Sequence, residues 1–96
     1  MQELLDLLAS YVAALEQGNA VAAPAEREVY RRRMDAATQI GGALREANVH
    51  ELKRLIDDEE HAQGWGFLTG SQGVAAEAAL TRFVYRARMS GATFAA

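Results

Sequence analysis

Nearly every apolar residue in this chain recurs at three- and four-residue intervals, the repeat of one face of an α-helix. Leu4, Leu5, Leu8, Tyr11, Val12 and Leu15 form a first stripe. Tyr30, Met34, Ala37, Ile40, Leu44 and Ala47 form a second, Leu52, Leu55 and Ile56 a third, and Ala76, Leu80, Phe83, Val84 and Ala87 a fourth. Such a chain buries its stripes against one another, so the expected fold is all-α, a small bundle of three to four helices.

Punctuation residues divide the pattern. The first helix is predicted over residues 2–17, with Gly18 and Asn19 supplying left-handed backbone to end it. Pro24 fits the first turn of a second helix over 24–47, where its missing N–H costs nothing. Asn48-x-x-Glu51 has the form of a capping arrangement and starts a third helix over 49–61. No Gly or Pro stands at that junction, and the stripe continues in phase through Leu44, Leu52 and Leu55. A single long helix from Pro24 to His61 is therefore the competing expectation. A last helix is expected over 71–90, capped by Thr69 or Ser71, with Gly91 past its end. Residues 1–91 then form one domain and 92–96 a frayed tail. Gly41 and Gly42 interrupt the second helix at a cost of roughly 1 kcal/mol each relative to Ala. Close packing of the last helix, with its many alanines, is the expected compensation, and a hinge is the alternative.

Composition excludes several chemistries. The formal charge is −3, opposite to the basic footprint of a nucleic-acid-binding domain. The chain has no cysteine, so neither a disulfide nor a thiolate metal site can form. No apolar run approaches the ~20 residues of a membrane span, and the N-terminus lacks the basic stretch of a signal peptide. A cytoplasmic protein is the expectation, and the abundance of Ala, Arg and Gly fits a GC-rich bacterial genome.

Some clusters could carry chemistry. His50, Asp57 and His61 share a helical face, and Asp58-x-x-His61 has the spacing of carboxylate-bridged metal bundles. The remaining helices supply no further His, so the ligand set of encapsulated ferritins is incomplete and no cofactor is expected. The acidic run Asp57-Asp58-Glu59-Glu60 opposes the dipole at a helix C-terminus. If the second and third helices form a hairpin, Arg33 lies one turn from Glu60 and compensates it as a surface pair. Glu28–Arg32 and Arg31–Asp35 have i,i+4 ion-pair spacing. Thr69-Gly70-Ser71-Gln72-Gly73 lacks the lysine of a phosphate loop and reads as a helix start. The chain shares length, acidity and lack of cysteine with small secreted helical hairpins, but their Trp-x-Gly turn is absent, the residues being Trp65-Gly66-Phe67. No nucleophile is paired with a base, which argues against an enzyme.

What remains points to protein–protein contact. Trp65, Phe67 and Leu68 stand among glycines, where they either plug the end of the bundle or serve as an apolar anchor for a partner, and Arg82 and Arg86 lack a local acidic partner, as a patch for an acidic partner would. The expected function is a non-enzymatic interaction module. It would be a small accessory protein of immunity, antitoxin, chaperone or regulatory type, bound to a larger partner or to itself. A small DNA-binding regulator or a metal-binding helical protein are the alternatives.

Overall fold

The computed structural model describes residues 2–60 and 70–90. Within them the chain forms four α-helices and no strand: α1 (Gln2–Val21), α2 (Pro24–Arg45), α3 (Val49–Glu60) and α4 (Gly70–Met89). The all-α expectation holds. Helix α1 packs between α2 and α4, and α3 packs on α2. The four apolar stripes supply the common core, in which Tyr11, Leu15, Ile40 and Phe83 have no exposed surface. No helix of the described residues is long and apolar enough to cross a membrane.

Four helix ends differ from the sequence reading. Helix α1 does not stop at Gly18 but continues to Val21. Gly18 is there for space: a Cβ built on it would fall 2.5 Å from Tyr30 Cζ, far inside van der Waals contact. The glycine lets α2 seat its buried tyrosine against α1, and it ends nothing. Helix α2 stops at Arg45, two residues early, and α4 begins one residue early at Gly70 and ends at Met89. Pro24 does take the first turn of α2, after Ala23, whose carbonyl accepts from the Glu26 and Arg27 amides.

The single-helix alternative over 24–61 fails at Glu46–Asn48. There Asn48 N–H donates to Ala43 O at 3.0 Å and Ala47 N–H to Leu44 O at 3.2 Å. This pair of bonds is a Schellman closure, which requires a left-handed residue at its turn. That residue is Ala47, at φ 54°. A glycine adopts this conformation freely, whereas an L-residue pays about 1–2 kcal/mol for it. Asn48 then starts α3, its Oδ1 accepting from the Glu51 amide at 3.1 Å. The reciprocal half of the capping box does not form. Glu51 turns to Arg54 instead, its two oxygens 2.5 and 3.1 Å from the guanidinium.

Gly41 and Gly42 do not serve α4. A Cβ on Gly41 would meet the Arg45 side chain at 3.3 Å and Leu8 of α1 at 3.5 Å, and one on Gly42 would meet nothing within 4 Å.

Candidate functional site

Two features stand out above the packed stripes: a buried polar cluster fed by all four helices, and the outward face of α4.

Tyr11 lies on the inward stripe of α1 and carries its hydroxyl into the core. Arg33 is three residues after Tyr30 and four before Ala37, so the helical repeat turns it inward in spite of its charge. Glu59 follows Leu52, Leu55 and Ile56 at the same spacing. Arg33 and Glu59 are only 2% and 1% exposed. The Tyr11 hydroxyl donates to Glu59 Oε1 at 2.6 Å. Arg33 Nη1 sits 3.4 Å from that hydroxyl and 3.5 Å from the same carboxylate oxygen. Its Nη2 donates to Glu77 Oε1 of α4 at 3.0 Å.

Burial dominates the electrostatics of this cluster. It pushes the Tyr11 phenol well above its ordinary value, with the Glu59 charge adding to the effect, so the hydroxyl remains a donor. Burial also raises the Glu59 carboxyl, outweighing the Tyr11 hydrogen bond and the Arg33 charge that favour its ionised form. For Arg33, burial acts to lower the pKa, but Tyr11, Glu77 and Glu59 reverse it and the guanidinium is held more firmly charged. With both ions out of water, losing either partner strands the other and costs about 3–5 kcal/mol. The cluster is a structural tie: Tyr11, Arg33 and Glu59 are shut off from solvent, and Glu77 joins them from its partly exposed rim. It also corrects the expectation of a weak surface Arg–Glu pair.

Two more members of the acidic run are compensated on the surface, Asp58 by Arg54 at 3.1 Å and Asp57 by Arg88 at 3.0 Å. On α2, Glu28 pairs with both Arg31 and Arg32, so the expected Arg31–Asp35 pair gives way to a shorter-range one.

The outward face of α4 is unusual. At 100° per residue, Val74, Ala78, Tyr85 and Met89 fall within about 60° of one another, on the side opposite Ala76, Phe83 and Ala87. Val74 is 65%, Tyr85 60% and Met89 62% exposed. A surface helix ordinarily turns charge outward. Here charge sits only on the flanks, with Glu77 and Arg88 on one side and Arg82 and Arg86 on the other. Beside the stripe lies a concavity of about 490 Å³, lined by residues including Leu80, Val84, Tyr85 and Met89.

Of the residues singled out in the sequence, Arg82 is exposed and makes no ion pair among the described residues. Arg86 does have a partner, Glu3 of α1, through hydrogen bonds of 2.7 and 3.0 Å. The Arg86 hydrogen bond lowers the Glu3 carboxyl pKa. Trp65, Phe67 and Leu68 lie outside the described residues, as does His61. His50 is exposed, and no group of three His, Cys, Asp or Glu side chains able to hold a metal occurs among the described residues. Sequence reasoning does not single out Tyr85, Val74 and Met89, because the inward stripe of α4 is the stronger apolar pattern. Their own spacing of i, i+11 and i+15 was the available signal.

Comparison with protein-family models, curated proteins and solved structures finds no match to this chain.

Proposed function

We propose that this protein is a non-enzymatic interaction module that binds another polypeptide through the outward face of α4. The observation that carries this reading is the set of three large, well-exposed apolar side chains on one face of one helix, Val74, Tyr85 and Met89. Aromatic and methionine side chains are enriched in protein interfaces, and a central tyrosine with a flanking arginine is a common binding anchor. Arg82 edges this face, so the arginine singled out in the sequence belongs to the same surface. A role as accessory subunit rests on the same physical basis: among the described residues Arg33 and Glu59 are buried in a structural tie, and the apolar face of α4 is what the fold offers outward.

The test is photocrosslinking. Tyr85→p-benzoylphenylalanine keeps an aromatic ring on the stripe and is expected to give a discrete polypeptide adduct in cells of the source organism. The same group at Lys53, exposed on α3, is expected to give none. Equal labelling at both positions, or no adduct from position 85, refutes the reading.

A further inference from the structure

We infer that the occupant of the α4 face is a second copy of this chain, with the two α4 helices packed antiparallel about a dyad between Thr81 and Arg82. This inference rests on the interaction reading above and names its partner. A two-fold interface must be self-complementary: where residue i meets j, j meets i. With the dyad there, residues whose numbers sum to 163 lie opposite one another. Tyr85 then meets the partner's Ala78, a large ring over a methyl, and this happens twice. Val74 meets the partner's Met89, again twice, and Thr81 leaves the centre narrow. All four apolar positions of the stripe are matched in this register, large against small at the inner pair.

Charge on one flank agrees. The dyad sets each flank against its own copy, bringing Glu77 to within about one turn of the partner's Arg88 in both directions. Both side chains retain surface for this, Glu77 at 35% and Arg88 at 46% exposed. On the opposite flank Arg82 meets the partner's Arg82, a repulsion that limits affinity. The contact is one helix wide and about 22 Å long from Val74 to Met89. Such an interface lies at or below the small end of specific ones, which places the dimer in the weak class with a Kd on the order of 10 µM.

The absence of cysteine makes the register directly readable. Val74→Cys and Met89→Cys are each expected to stay uncrosslinked alone under mild oxidation and to form a disulfide when mixed, since only the antiparallel register brings 74 to 89. Thr81→Cys is expected to crosslink with itself. Sedimentation of the unmodified chain is expected to pass from monomer to dimer as concentration rises through that Kd. Tyr85→Ala should weaken the dimer at least about tenfold with the helical signal kept, and Arg82→Ala should tighten it. Self-crosslinking of Val74→Cys with no 74–89 disulfide in the mixture overturns the antiparallel pairing, and a monomer at about 500 µM overturns the dimer. The two proposals fail separately: a position-85 adduct to a different polypeptide, with the chain itself monomeric, refutes the dimer alone. No adduct of any kind refutes both.

Discussion

Gly18, Gly41 and Gly42, each inside a helix, share one intrinsic cost and differ in the space around them, which separates propensity from packing. Replacing any of them by alanine gains about 0.8–1 kcal/mol of helix propensity. At Gly42 a Cβ meets nothing within 4 Å, so Gly42→Ala should keep the whole gain. At Gly41 the nearest atom, 3.3 Å away, is the tip of the Arg45 side chain. An exposed arginine gives way easily, and Gly41→Ala should keep most of the gain. At Gly18 the added Cβ falls 2.5 Å from the Tyr30 ring. Ordinary contact needs about 1 Å more, and Tyr30, only 2% exposed, has little freedom to retreat. Overpacking of this kind costs about 1–3 kcal/mol. Gly18→Ala should therefore be destabilising by about 1 kcal/mol on balance, and about 2 kcal/mol less stable than Gly42→Ala. In a domain of this size that difference separates the two melting temperatures by roughly 8–16 °C. Urea denaturation followed by far-UV circular dichroism measures it. Pairing Gly18→Ala with Tyr30→Leu should recover the propensity gain, since the obstructing ring is gone. If Gly18→Ala stabilises as much as Gly42→Ala does, the steric account of α1 is wrong.

Other outcomes follow from the same geometry. Ala47→Gly should stabilise by about 1 kcal/mol, because the left-handed turn at φ 54° then carries no Cβ; Asn48→Ala should cost about 1 kcal/mol through the lost cap, and chemical denaturation of each variant against the parent reads both. Burial raises the folded pKa of the Glu59 carboxyl above its ordinary value. The folded state therefore favours the protonated form, and this contribution is fully present below the unfolded pKa and lost as pH rises through the folded one. Stability relative to Glu59→Gln should accordingly fall as pH rises from about 4.5, and equal pH slopes for the two proteins would show that burial does not govern this carboxyl.

The sequence disclosed what local periodicity and local capping encode. The four stripes are the core, and Asn48-x-x-Glu51 marked the break that the structure places at Glu46–Asn48. It misled where a residue answers to another helix. Gly18 reads locally as a stop, yet its role is set by Tyr30, twelve residues on and in a different helix. Arg33 reads as one member of a basic run, yet the repeat from Tyr30 to Ala37 makes it a core position whose charge is balanced by α3 and α4. Position should have outranked charge there. The α4 face was legible as spacing, but only packing against α1 decides which of two apolar stripes turns inward. The paired glycines err in the opposite sense: they suggest close packing, yet a Cβ on Gly42 would meet nothing within 4 Å.

The way α3 is attached has a consequence for how the molecule breathes. Among the described residues its broad packing is on α2 alone, supplemented by the Glu59 tie and the Asp57–Arg88 pair. It enters through a backbone turn already holding an unfavourable torsion at Ala47. A segment with one packing partner and a strained entrance is the natural unit of sub-global opening, with α1, α2 and α4 persisting as a three-helix remnant. Such an opening hydrates Arg33 and Glu59 together, so the desolvation that opposed their burial is recovered as the helix lifts. Amide protons of Leu55 and Ile56 should then exchange at a smaller free energy than those of Leu15 or Phe83, in one cooperative step that rising pH favours.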